Sequence, residues 1–181
     1  MALSIFSPVP DWASSVVYSK YTIVKYLGKI YYGLVDHTSA GTFDTTKWGG
    51  HVTDPFGSVI SNEDSTDSSR PHFFFTPSYG NTVNSEPRTM ITQFGEGYQQ
   101  RVPESINNTF LKISVVFENR TAKEATAMLH FLNARNGTEA FLYTPPEPYP
   151  TMRLFSCFNW NQQSQFLNNI NINAEFTEVS V

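Results

Sequence analysis

Near the C-terminus, Ile170, Ile172, Ala174 and Phe176 alternate with Asn171, Asn173, Glu175 and Thr177. A period of two sends one set of side chains to a core and the other to water or a polar partner, which predicts a half-buried strand. Residues Phe110–Phe117 repeat the pattern, with Leu111, Ile113, Val115 and Phe117 on one apolar face. Thr151–Trp160 reads as a further strand. Between these runs the period changes. Ala125, Met128, Leu129 and Leu132 stand at i, i+3, i+4 and i+7, one stripe of a helix. Thr121 is placed to cap that helix, Glu124 completes a Thr-x-x-Glu capping box, and Gly137 after Asn136 is a left-handed stop. Near the start, Tyr21–Tyr26 and Lys29–Val35 are β-branched and aromatic runs joined by Leu27-Gly28, a hairpin signal. Strands, one helix and strands again predict a mainly β, α+β fold with the helix laid on an antiparallel sheet or sandwich.

The pattern breaks once. Residues 53–70 are dominated by Ser, Asp and Thr and carry one arginine against four acids. Such a stretch buries little apolar surface and is expected to be a solvated linker. It divides the chain into a small β module, 1–52, and a larger strand-rich domain, 71–181. As a flexible tether of 18 residues it would reach roughly 20–25 Å, enough for the module to stand clear of the rest.

Composition narrows the function. The chain has 181 residues, 15% of them aromatic and 15% charged, so it is able to form a packed core. The net charge is −4 and the basic residues are scattered, which leaves no basic stripe for nucleic-acid phosphates. Met1–Pro8 lacks the basic, then apolar, order of a signal peptide. No run of about 18 apolar residues is present, and Phe73-Phe74-Phe75 is too short to span a membrane. Cys157 is the one cysteine, so no internal disulfide forms, which fits assembly in a reducing cytoplasm.

Candidate chemistry is sparse. His37, His51, His72 and His130 share no metal-ligand spacing, and His130 is expected to face solvent or a neighbour. Cys157 lies in the apolar run Leu154–Phe158 and reads as a small buried hydrophobe. Glu96 and Glu104 form a carboxylate pair only in the sense that any chain with sixteen acids contains one. Gly95-Glu96-Gly97 lacks the lysine and helix of a phosphate loop and reads as a tight hairpin turn. Tyr143–Pro150 is proline-dense, and strand-like runs on both sides favour a loop over a polyproline ligand. No catalytic residue, metal site or cofactor is expected, and the chain reads as no enzyme.

Four motifs then fall in one order: Phe94-Gly95-Glu96-Gly97-Tyr98-Gln99-Gln100-Arg101, the helix with Glu124-Ala125-Thr126, Phe141-Leu142-Tyr143-Thr144-Pro145-Pro146, and Asn173-Ala174-Glu175-Phe176-Thr177-Glu178-Val179. In this order and spacing, residues 71–181 resemble the minor tail protein M family of lambda-like phages. Phe94, Gly95, Gly97, Tyr98, Arg101, Thr144, Pro145 and Pro146 match its signature. The resemblance implies a distal tail protein with an antiparallel β-sandwich-like domain and a flanking helix. It implies a ring, six copies by analogy with the family, placed below the tail tube at the virion's tail tip. The partners implied are other copies, the tail tube protein, the tail-tip hub and fibre proteins and the tape-measure protein, with assembly in the host cytoplasm.

Residues 12–48 carry a second resemblance. Trp12, Tyr18, Val24-Lys25-Tyr26, Gly28-Lys29, Tyr31 and Trp48 are similar to the small three-stranded carbohydrate-binding modules of chitinases and many phage tail proteins. That implies glycan stacking on Trp12, Tyr18, Tyr31 and Trp48, with a host cell-surface polysaccharide as partner. Where the family often shows a second aromatic after the late Trp, this chain has Gly49, which favours a core place for Trp48. A soluble carbohydrate-binding or receptor-binding accessory protein is therefore the alternative to a ring subunit.

Overall fold

The computed structural model describes residues 9–50, 70–104 and 109–180. The expected linker, except Arg70, lies outside these residues, as do Met1–Pro8 and His51. The first lobe contains β1 (Val17–Tyr18), β2 (Ile23–Tyr26), β3 (Lys29–Gly33), β4 (His37–Thr38) and β5 (Trp48–Gly50). Strands β2, β3 and β5 form a three-stranded antiparallel sheet, and β1 pairs with β4. Leu27 and Gly28 close the β2–β3 hairpin with φ of 47° and 80°. Two successive positive φ values match the right-handed twist of the flanking strands, as the sequence predicts.

The second lobe runs through β6 (Thr82–Pro87), β7 (Thr89–Gln93), β8 (Gln99–Pro103), β9 (Thr109–Arg120), α1 (Ala122–Arg135), β10 (Phe141–Tyr143), β11 (Arg153–Ser164) and β12 (Ile170–Glu178). Its main sheet is antiparallel in the order β10-β11-β12-β9-β6. Across β12 and β9, Ile172 faces Phe117, Ala174 faces Val115 and Phe176 faces Ile113. All six are buried, so the two alternating patterns meet on one core-facing side of the sheet. The fold is mainly β with a single helix among the described residues, as the periodicities predict.

Helix α1 begins where Thr121 Oγ1 accepts the Glu124 N–H at 3.3 Å. The Glu124 carboxylate turns instead to Arg120 Nη1, 3.1 Å away, so this half of the expected capping box is an ion pair. The left-handed stop comes one residue earlier than expected. Asn136 already has φ 48° and donates to the Leu132 carbonyl, and Gly137 follows at φ 69°. Ala125, Met128, Leu129 and Leu132 are buried as expected, but so are Ala127 and Phe131. The buried face is wider because the helix is covered twice, by the sheet and by the first lobe. The expectation of a module standing clear on a tether is corrected by this contact. Ile23 and Tyr32 belong to the same buried cluster as the sheet and α1. The Tyr32 ring lies 5.8 Å from Phe131, and Lys123 Nζ donates to Ser19 Oγ and to Thr22 Oγ1.

Phe73 is the hub of the core. Its ring centroid lies 5.1–5.9 Å from those of Phe75, Phe117, Phe131, Phe141, Tyr143 and Phe176. All six of these contacts are edge-on or tilted, the arrangement favoured by ring quadrupoles.

Candidate functional site

Strands β6 and β9 are neighbours in the main sheet, ending at the pair Pro87–Thr109. The chain between them leaves the sheet as the β7–β8 ribbon and returns to the same end. The Glu104 N–H donates to the Arg88 carbonyl at 3.1 Å, and Arg88 stacks on Phe110 at 4.9 Å, which fixes the base. Every residue of both strands is exposed. Register places Met90 opposite Val102 and Thr92 opposite Gln100. Continued alternation brings Phe94 and Tyr98, 54% and 72% exposed, onto that same face. Five residues per strand carry the tip roughly 17 Å beyond the base.

The tip is a three-residue turn, Gly95–Gly97, closed by the Phe94 N–H donating to the Tyr98 carbonyl at 2.8 Å. Gly97 has φ 86°, where a side chain is strained, so this glycine is required by the backbone. Gly95 has no positive φ, and among the described residues nothing lies within 4 Å of where its Cβ would stand. Arg101 contacts Gln99 Oε1 at 3.4 Å. The side chain of Glu96 is outside the described residues, and with it the pairing of Glu96 and Glu104.

The other half of the signature sits elsewhere. Leu142 of β10 exchanges backbone bonds with Pro71 and Phe73, after which the two segments part. Prolines 145 and 146 have no N–H to continue a ladder. The parting opens a cavity of about 610 Å³, lined mainly by Phe73–Tyr79 on one wall and by Tyr143, Thr144 and Pro146 on the other. The buried Tyr143 hydroxyl and Thr144 Oγ1 have no hydrogen-bond partner among the described residues. Burial raises the Tyr143 pKa, so the phenol stays protonated and able to donate.

The glycan-stacking residues form a core instead of a display. Tyr18, Tyr31 and Trp48 are buried, Trp48 at 1% exposure, and they cluster with Val24. Trp12 is half-buried, edge-on to Tyr26 and Phe43 at 5.5 and 5.6 Å. A sugar needs an open ring face, which Tyr18 and Tyr31 lack here, and Trp48 takes the core place that Gly49 favours. Gly49 shows why. A Cβ there would meet the Phe74 ring at 2.7 Å. The second lobe thus occupies the place where the carbohydrate-binding family often has its second aromatic.

His130 does face a neighbour: its Nδ1 lies 3.1 Å from the Tyr32 hydroxyl. Burial, then repulsion by Arg135, lowers its pKa. His37 Nδ1 bonds the Val35 carbonyl at 3.0 Å, and His72 is buried. No His, Cys, Asp and Glu grouping able to hold a metal exists among the described residues. Cys157 is buried and its thiol is pushed up to about 11, mainly by burial, which leaves it inert. Three features escaped the sequence reading: the Phe73 hub, the Phe74–Gly49 contact and the apolar ribbon residues Met90, Ile91 and Val102. The signal for the ribbon was the run Thr89-Met90-Ile91-Thr92, three of its four residues β-branched, one residue before the Phe94 motif.

A family model described as phage minor tail protein matches residues 71–180. Over 100 residues the chain is 32% identical to tail tip protein M of Escherichia phage lambda, an alignment covering 55% of this chain and 89% of that protein. Among solved structures, the virion of a native gene transfer agent particle holds a similar chain. The match covers 59% of this chain and 82% of that one, with a TM-score of 0.43 and 7% identity. The tail of an empty gene transfer agent particle holds another, at 56% and 75% coverage, a TM-score of 0.37 and 10% identity.

Proposed function

The chain belongs to the phage minor tail protein family, and from that premise we propose that its copies close into a ring at the distal end of the tail tube. Its role in the tail is structural, not enzymatic. In this reading the ring has six copies, joins the tube protein above to the hub and tape-measure proteins below, and sits at the virion's tail tip after assembly in the host cytoplasm. The observation that supports it is the β7–β8 ribbon. An isolated two-stranded hairpin is marginal in water, and this one exposes Met90, Ile91, Phe94, Tyr98 and Val102. Such a ribbon is stabilised when a second chain covers it. Negative-stain imaging and sedimentation of the full chain over rising concentration test the reading. Rings are expected for the natural chain, and a monomer at every concentration would sink it.

The division into residues 1–52, 53–70 and 71–181 is part of the same proposal, with one adjustment. The first lobe serves as a cover for α1 and Phe74, not as a freely tethered adhesin. Limited proteolysis should nick within the acidic segment, and the two fragments should still co-elute. Separate elution would restore the tether. Accessory binding of a surface polysaccharide would fall to Trp12, the one partly open ring among the four candidates; co-sedimentation of the full chain with host cell-wall polysaccharide, unchanged by Trp12→Ala, would dismiss it.

A further inference from the structure

The hairpin between β11 and β12 is closed by the same kind of turn as the β7–β8 ribbon. In one, Phe94 and Tyr98 flank the turn with φ, ψ of −103°, 160° and −72°, 133°. In the other, Gln165 and Asn169 flank it with −113°, 175° and −77°, 149°. The Gln165 N–H donates to the Asn169 carbonyl at 2.7 Å, matching the 2.8 Å bond from Phe94 to Tyr98. The last residue of each turn is left-handed, Gly97 at 86° and Asn168 at 60°. The first residue is Gly95 in one and Phe166, 85% exposed, in the other. This turn therefore accepts a large side chain at its first position, and neither φ nor any neighbour among the described residues calls for glycine at 95. A bare backbone there suits close approach by another chain.

The same molecule carries a matching concavity. The cavity between Phe73–Tyr79 and Tyr143–Pro146 measures about 610 Å³. An apolar cavity of about 150 Å³ already holds one benzene, so two aromatic rings and a glycine turn fit. Its walls are mostly apolar and aromatic, which suits Phe94 and Tyr98. Tyr143 and Thr144 line it with their carbon surface, their hydroxyl oxygens being fully buried and without a partner among the described residues.

We propose that the tip of the β7–β8 ribbon, Phe94–Tyr98, seats in the cavity beside Tyr143 and Thr144 of a neighbouring copy. The inference rests on the ring reading and names its contact. Protrusion and cavity are different patches of one surface, so each copy gives one and receives one. Such a heterologous contact closes into a ring when its rotation allows. It also joins the Phe94–Arg101 and Thr144–Pro146 motifs, which the fold itself keeps apart, into one interface.

The test uses the full chain. With Gly95→Cys and Thr76→Cys together, air oxidation should give a ladder of disulfide-linked oligomers on a denaturing gel. Either variant alone should give no band beyond a dimer, and buried Cys157 should not compete. In parallel, Gly95→Trp should melt like the natural chain, because the matching turn carries Phe166, yet need at least tenfold higher concentration to assemble. Natural rings with no ladder, or rings formed equally well by Gly95→Trp, would overturn this contact and leave the ring reading standing. A natural chain that never assembles would overturn both.

Discussion

Strand β12 and the β7–β8 ribbon use the same alternation and meet opposite fates. In β12 the apolar set Ile172, Ala174 and Phe176 lies against β9 and α1 and is buried. In the ribbon, Met90, Phe94, Tyr98 and Val102 share one face and are all exposed. Alternation specifies that a strand has two unlike faces; it does not specify what meets the apolar one. In β12 the answer lies within the chain; in the ribbon the face is exposed, and the ring reading proposes another copy for it. Apolar side chains in the two regions should then respond in opposite ways to truncation.

The largest expected difference is between Phe73 and Phe94. Phe73→Ala empties the centre of the aromatic core and should cost about 3–5 kcal/mol in a urea melt. Leu129→Ala and Leu132→Ala, on the buried helix stripe, should cost about 2–5 kcal/mol each. Phe94→Ala removes a ring already in water and should stay within about 0.5 kcal/mol, while weakening assembly. Equal losses at Phe73 and Phe94 would mean the ribbon is part of the monomer's core and would collapse the comparison.

The two glycines of the ribbon turn sharpen it at a smaller scale. Gly97→Val places a branched side chain at φ 86° and should cost about 1–3 kcal/mol. Gly95→Val meets open space at an ordinary φ and should leave the melt nearly unchanged. The sequence alone treats the two glycines as one turn, and only the backbone angles separate them. A Gly95→Val loss as large as that of Gly97→Val, in a dilute monomer, would show that the turn itself needs both.

Much of the fold was legible because it rests on local rules. The strand of Phe110–Phe117, the strand of Ile170–Thr177, the Leu27-Gly28 turn and the Thr121 cap all follow from residues within one element. What was not legible depends on contacts between distant segments. Phe73-Phe74-Phe75 has no periodicity, yet Phe73 organises the core and Phe74 fills the space beside Gly49. The aromatic pattern of Trp12, Tyr18, Tyr31 and Trp48 was visible, but a pattern of rings does not say whether they face each other or water. Here three of them pack together, and small modules commonly spend their aromatics on a core. The Phe94–Arg101 and Thr144–Pro146 motifs were likewise visible, while the ribbon and the cavity that contain them required the backbone path.

The smallest expected effect concerns a third kind of surface, the face of α1 that the first lobe covers. There the Tyr32 hydroxyl meets His130 Nδ1, and neutral imidazole is able to accept that proton. Burial and the nearby Arg135 hold the His130 pKa below its ordinary 6.5. The unfolded chain therefore binds this proton more readily than the folded one. By linkage, the contribution is fully present above pH 6.5 and is lost as the pH falls through 6.5 toward the folded-state value. Protonation also turns the acceptor into a donor, so the Tyr32 bond must reverse. His130→Gln keeps a polar side chain without the titration. The urea midpoint of the natural chain should therefore drop more between pH 7.5 and 5.5 than that of the variant. Identical slopes would show that the lobe's seat on α1 is indifferent to His130. A larger drop in the variant would reverse the sign and place the charged histidine in the folded state.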